Sequence, residues 1–289
     1  MPITASELVC SHFTISGAQP RLPSRFGFAE QVAAVAEAGF TGIGLMGSDY
    51  VDARARGMTD ADFSAILDDH GIVLAETEFL MDWSAGDDEP ERVARARALE
   101  EGVWRVADAF GPRVVSVGEL VPGLPPVRVL AERFGALCDR AAAHGLLVAL
   151  EFMPWSGIPD VVRASEVVRL AGRPNAGLNI DMWHYFRGTP NDAALRDVAD
   201  RVFMVQLADA DAEIVGDIRE DSLQRRRCPG DGDLDLEPVV RLLHDAGAPA
   251  PVSVEVISLE QHALPAGEAA RRAYAGARGV LEGALSAEG

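Results

Sequence analysis

The 289-residue sequence predicts an α/β chain whose residues 1–289 form a single (β/α)8 TIM barrel domain. Two observations carry that reading. Short apolar, β-branched runs alternate strictly with amphipathic helical stretches, which requires a parallel sheet with right-handed crossovers. Glycine recurs where a helical pattern gives way to an apolar run, at Gly39, Gly71, Gly145 and Gly247. There it can take the left-handed conformation that caps a helix. These marks are separated by multiples of roughly 32–37 residues, so eight units fill nearly the whole chain and favour closure into a barrel. No GxGxxG follows the first run, which weakens the dinucleotide-binding alternative.

The elements follow in order. A first strand near 8–15 precedes a helix at 28–38, which Gly39 closes. The second strand, 40–46, is followed by a helix at 59–70 ending at Gly71, and the third, 72–80, by one at 89–109. The fourth strand, 113–118, leads to a helix at 127–144 with Gly145 behind it. The last four apolar runs each end on an oxygen donor. Leu146-Leu147-Val148-Ala149-Leu150 runs into Glu151 (strand 146–151, helix 160–172), and Ala176-Gly177-Leu178-Asn179-Ile180 into Asp181 (strand 176–181, helix 191–199). Val202-Phe203-Met204-Val205 runs into Gln206 (strand 201–207, helix 235–246), and Val252-Ser253-Val254 into Glu255 (strand 251–257, helix 266–285). The longest linkers, 47–58, 81–88 and 208–234, all follow strands and so fall on the catalytic face.

Burying a carboxylate at the end of an apolar strand is costly unless something pairs with it. Three carboxylates and an amide at the C-terminal ends of strands 5–8 therefore predict one divalent metal held by Glu151, Asp181, Gln206 and Glu255. An all-oxygen set suits Mn²⁺ or Mg²⁺, with Co²⁺ as an alternative, better than Zn²⁺. Each residue alone also reads as a polar group satisfied by loop amides or an arginine. Four in successive strands do not.

Composition narrows the partners. With 45 acidic against 26 basic side chains, the net charge of −19 repels nucleic acid and anionic membrane. No run approaches the roughly 18 apolar residues of a membrane span. The N-terminal Met1-Pro2-Ile3-Thr4 stretch lacks a signal-peptide pattern, and Cys10, Cys138 and Cys228 form no CxxC pair, so a reduced, cytoplasmic protein is expected.

The same motifs resemble a known family, the xylose isomerase-like TIM barrels of the sugar phosphate isomerase/epimerase superfamily. That superfamily includes tagatose-type 3-epimerases, inosose dehydratases and 3-dehydroshikimate dehydratases. Leu150-Glu151-Phe152 is similar to its strand-5 metal glutamate, and Val252-Ser253-Val254-Glu255 to its last-strand glutamate. Asp181-Met182-Trp183-His184 is similar to its D-x-x-H, whose Asp binds metal and whose His contacts substrate. Arg225-Arg226-Arg227-Cys228-Pro229-Gly230-Asp231-Gly232 resembles the R-x-x-P-G-x-G loop, where an arginine reaches substrate oxygens. Spacing gives that role to Arg226, with Arg227 the near alternative. Many members carry His where this chain has Gln206, although some dehydratases use Gln. Relatives often form dimers or tetramers, so a homo-oligomer is expected.

Roles also follow from chemistry. Moving a proton on a carbon beside a carbonyl needs a base at the carbon and an electrophile at the oxygen. Glu151 and Glu255, facing each other across a metal that stabilises an enediolate, are the candidate catalytic bases. His184 is either a proton donor and acceptor at a substrate hydroxyl or a loop histidine bonded to a carboxylate. His12, Glu78, Trp183 and Trp155 are candidate pocket residues; Glu76 and Glu78 share one face of their strand by alternation. The expected activity is isomerisation or epimerisation of a small polyhydroxy carbonyl substrate. The alternatives are a dehydratase that expels a β-hydroxyl and a non-catalytic sugar-binding barrel. AP-endonuclease relatives on this fold use several metals and many histidines, which the six histidines and the acidic charge disfavour.

Overall fold

The computed structural model of the protein describes residues 3, 4, 7–20 and 22–286; the outermost ends of the expected 1–289 domain lie outside the described residues. The eight strands close into one parallel barrel in chain order. They are β1 (Leu8–Cys10), β2 (Gly42–Met46), β3 (Val73–Leu80), β4 (Val114–Gly118), β5 (Leu147–Glu151), β6 (Ala176–Asp181), β7 (Val202–Leu207) and β8 (Val252–Val254). Closure is made by β1 pairing with β8, with Leu8 opposite Val252 and Cys10 opposite Val254.

The helices that cover the barrel are α2 (Phe28–Ala38), α4 (Asp60–His70), α5 (Pro90–Phe110), α6 (Val127–Ala142), α7 (Val161–Ala171), α9 (Asp192–Asp197), α11 (Leu236–Asp245) and α13 (Ala266–Leu285). Five shorter helices lie on the C-terminal side of strands: α1 (His12–Ile15), α3 (Gly47–Ala55), α8 (Met182–Arg187), α10 (Ile218–Gln224) and α12 (Leu259–Ala263). The four punctuating glycines all have positive φ, from 64° at Gly71 to 107° at Gly39, as the capping role requires. At its other end α4 starts with a capping box. Thr59 Oγ1 accepts from the Asp62 amide at 3.2 Å, and the Asp62 carboxylate accepts from the Thr59 amide at 2.7 Å.

Three boundaries differ from expectation for identifiable reasons. The first strand ends at Cys10, because the Ser11 hydroxyl accepts from the Phe13 amide and starts α1 there; His12 therefore sits on a helix rather than a strand. The last strand is short, so Glu255 lies one residue past it, although its amide still donates to Leu207 O at 3.0 Å. The linkers 47–58 and 208–234 are largely organised, the first as α3 and the second around α10.

Apolar side chains fill two layers, one between sheet and helices and one inside the barrel. Inside, Val114, Ala149, Phe203 and Met204 close the N-terminal end. Higher up the interior turns polar. Glu76 and Glu78 are both buried and share one face, as alternation predicts, and that face is the inward one. Gly44 makes room for them: a Cβ there would meet both carboxylates.

Candidate active site

Register determines which side chains share the C-terminal mouth. Glu151 at the end of β5 stands opposite Asn179 of β6, and Asp181 at the end of β6 stands opposite Gln206 of β7. Asn179 precedes Asp181 by two positions, so both face inward. It connects the site. Its amide donates to Glu151 Oε2 at 3.2 Å, to Ser116 Oγ at 3.2 Å and to Gln206 Oε1 at 2.5 Å. Ser116 of β4 in turn donates to Glu151 Oε2 at 3.1 Å. Neither Asn179 nor Ser116 is in the sequence-derived set, yet a polar residue in phase with a strand-end carboxylate is the signal that finds both.

Asp181 has two tasks. One oxygen caps α8 by accepting from the His184 amide at 3.0 Å, which fixes the three-residue spacing of the D-x-x-H motif. The other takes Arg226 Nη1 at 2.6 Å. The same nitrogen reaches Glu255 Oε2 at 2.9 Å, so one guanidinium joins the ends of β6 and β8. Arg226 is 2% exposed; its remaining donors go to the Ser222 carbonyl at 3.0 Å and the Ser222 hydroxyl at 3.3 Å. His184 Nε2 lies 3.2 Å from Glu151 Oε1 and 3.4 Å from Arg226 Nη2. Gln206 donates to Glu255 Oε1 at 2.8 Å while its carbonyl receives Asn179.

The charges explain the protonation tendencies. Burial pushes Asp181 upward, but the Arg226 charge, His184 and their hydrogen bonds outweigh it and hold the carboxyl below its ordinary range. Glu255 goes the other way: burial raises it well above the ordinary value, Arg226 opposes, and Glu151 and Asp181 add to the rise. Three carboxylates facing a single guanidinium leave excess negative charge in a buried place. The donor set fits a divalent cation. Glu151, Asp181 and His184 each offer a ligand atom within 4.8 Å of the others, against about 3–4 Å between ligands of one such ion. Glu255 and the Gln206 carbonyl flank them.

The other expected residues are distributed unevenly. Glu151, His184, Arg226 and Glu255 line a cavity of about 210 Å³ at the barrel mouth, and Trp155 forms part of its wall. Arg227 is not brought there. It points away, pairing with Asp211 at 3.0 Å and Glu260 at 3.0 Å, because antiparallel bridging of Asp209 with Arg227 turns successive residues to opposite sides. The Gly-rich stretch after it is tied down, with Asp209 accepting from the Gly230 and Leu234 amides at 3.0 Å each. His12 does not line the cavity either; its ring lies 3.6 Å from Asp49, and its neighbour Phe13 takes the wall position. Trp183 is fully buried behind His184 against Ala208 and Ala210. Glu78 lies deeper, bridged to Glu255 through the Ser11 hydroxyl at 3.4 Å to each.

A closed parallel barrel with carboxylates, an amide and an imidazole gathered at its C-terminal mouth defines a class of TIM barrel built around an acidic site. The model of the xylose isomerase-like TIM barrel family matches residues 32–277, and the chain belongs to that family. Among curated proteins it is similar to 3-dehydroshikimate dehydratase of Pseudomonas aeruginosa, 27% identical over 242 residues, which are 82% of this chain and 37% of that protein. It is also similar to inosose isomerase of Halalkalibacterium halodurans, 31% identical over 151 residues, 51% of each. The chain thus spans about half or less of the length of these relatives. Among solved structures, the IolI protein with a bound zinc atom superposes with a TM-score of 0.82 at 21% identity, covering 97% of this chain and 99% of that one. An L-ribulose 3-epimerase does so with a TM-score of 0.72 at 17% identity, covering 97% and 96%. Both likenesses concern the fold. Among the described residues no helix is long and apolar enough to cross a membrane.

Proposed function

We propose that the protein is a divalent-metal-dependent isomerase or epimerase that moves a proton on the carbon beside a carbonyl of a small hydroxylated substrate. The observation that carries this is the buried convergence of Glu151, Asp181, His184 and Glu255, with one guanidinium among them, at the floor of a cavity. A bound divalent ion supplies an electrophile for the substrate carbonyl and its neighbouring hydroxyl. Glu151, Asp181, His184 and Glu255 would hold it, with Gln206 as a further oxygen donor. The imidazole makes the set mixed, which admits Zn²⁺ and Co²⁺ beside Mn²⁺ and Mg²⁺. The zinc-bound fold relative and the isomerase and epimerase relatives support this reading.

Glu151 and Glu255 stand three strands apart and both reach the cavity, so each can take or return a proton on its own side of the substrate. His184 Nε2 lies 3.2 Å from Glu151 and 3.4 Å from Arg226, which suits it to hold the ion beside Glu151. A second reading is a dehydratase, in which removal of the same α-proton is followed by cleavage of the β-carbon–oxygen bond, a C=C bond forming and the hydroxyl leaving as water once a floor group has protonated it. Gln206, as in some dehydratases, and the largely apolar cavity walls favour it.

The test is metal analysis together with NMR of a hydroxyketone panel in D₂O. We expect about one divalent ion per chain, loss of activity on chelation, and at least a ~100-fold loss in Glu151→Gln and Glu255→Gln with the circular dichroism spectrum unchanged. Deuterium incorporated without elimination identifies an isomerase or epimerase; an enone or aromatic product identifies a dehydratase. Full activity in metal-free protein would refute the proposal.

A further inference from the structure

The cavity above the acidic floor is poorly made for a sugar. Its walls come from the ends of β2 and β3, from α1 and α10 and from the segments that follow β3 and β4, and are largely apolar: Phe13, Met46, Phe79, Met81, Leu120 and Leu223 all line it. The polar groups at its floor are already paired with one another. Arg226 serves Asp181, Glu255 and Ser222, His184 faces Glu151, and Gln206 serves Glu255. A polyol pressed against such walls would leave hydroxyls facing apolar side chains without hydrogen-bond partners.

One lining group differs from all of these. Arg219, in the first turn of α10, is exposed, and its guanidinium has no hydrogen bond or ion pair among the described residues. By contrast Arg225, Arg226 and Arg227 in the same segment are all paired with carboxylates. Arg219 lines the cavity and also the adjoining groove of about 790 Å³, which Met81 and Leu120 share. It therefore stands where the two spaces meet, with Asp52 on the groove side. A lone arginine beside an apolar chamber in a protein of net charge −19 is a selective feature, because the overall field repels anions and only a local cation reverses that.

We propose that Arg219 determines substrate specificity by binding a carboxylate, and that the substrate is a small organic acid with a largely unsaturated or deoxygenated carbon body. This rests on the cavity being the substrate site proposed above. The acid group sits at Arg219, the apolar face lies on the Met and Phe walls, and the hydroxy-carbonyl end faces Glu151, His184 and Glu255. An arginine fork matches a carboxylate in two parallel hydrogen bonds, which a neutral group of the same shape cannot form.

The test is equilibrium binding, read by tryptophan fluorescence and calorimetry, and needs no turnover. The probes are shikimate, its uncharged methyl ester, myo-inositol and ribulose 5-phosphate, with wild type, Arg219→Gln and Arg219→Lys. We expect shikimate to bind wild type at least tenfold more tightly than its ester or the inositol. Arg219→Gln should erase that charge preference while leaving ester binding unchanged, and Arg219→Lys should keep part of it. Equal binding of acid and ester, no binding of any probe, or an unaltered ratio in Arg219→Gln would overturn the proposal. So would tighter binding of the inositol, or of the sugar phosphate, which would mark a phosphorylated polyol as the ligand. Failure of the metal-dependent proton-transfer reading shows separately, as absent deuterium incorporation or absent metal in a protein that still distinguishes acid from ester.

Discussion

Arg226 is the residue on which the electrostatics of the site turn. It is buried, and its Nη1 lies 2.6 Å from Asp181 and 2.9 Å from Glu255. The structure thus makes it the local counter-charge rather than an arm on a mobile loop. Removing one partner from a buried ionic network leaves uncompensated charge and costs about 3–5 kcal/mol. Arg226→Ala should therefore lower the melting temperature of metal-free protein sharply, and saturating Mn²⁺ should recover more of it than it adds to wild type. The check is a pair of thermal melts with and without metal. An equal metal-induced rise in both proteins would mean that guanidinium and cation do not share these carboxylates.

At the scale of the element, β6 shows how a strand is shaped to position the site. Asn179 and Asp181 face inward from it, and Gly177 continues the same phase toward the barrel floor, where the Phe203 ring of β7 occupies the space a side chain would need. A methyl group there meets both that ring and the Arg201 carbonyl, so a rotamer change of Phe203 alone cannot relieve it. Gly177→Ala should destabilise by about 1–3 kcal/mol. Adding Phe203→Leu should recover only part of the loss, because the backbone clash remains. Chemical denaturation of the single and double variants measures this, and full recovery would show that the ring was the sole obstacle.

For the molecule as a whole, the acidic groups inside the barrel tie stability to pH. Burial raises Glu76 to about 7, opposed by its bond from Ser253 and assisted by Glu255 and Glu151; burial and Glu76 raise Glu78 as well. A carboxyl whose folded value exceeds its unfolded one holds a proton that the unfolded chain releases. Its contribution is therefore complete below the ordinary carboxyl value and is lost as pH rises toward about 7. Wild type should melt lower at pH 8 than at pH 5, and Glu76→Gln should narrow that gap by several degrees, at roughly 2–4 °C per kcal/mol. Melting curves at the two pH values decide it. An unchanged gap would place the pH dependence elsewhere.

How much was legible in one dimension follows from what each feature depends on. The barrel was readable because alternation of apolar runs with capped helices is a local pattern, and Gly39, Gly71, Gly145 and Gly247 each take the conformation that pattern demands. Glu151, Asp181, Gln206 and Glu255 could be picked out because a polar group that ends a buried strand contradicts its own run. That Glu76 and Glu78 share one face followed from the two-residue period, whereas the inward direction of that face did not. The burial of Arg226, the turning away of Arg227 and the replacement of His12 by Phe13 in the wall could not be read in this way. They depend on segments far apart in sequence being joined, as when Arg225 bridges Ser258 and Arg227 bridges Asp209. The sequence by itself determined the barrel and the acidic strand ends, because both arise from short-range periodicity. Only the tertiary structure decided which charge balances which and what lines the cavity, because those are long-range contacts set by how loops from different strands fold back over the mouth.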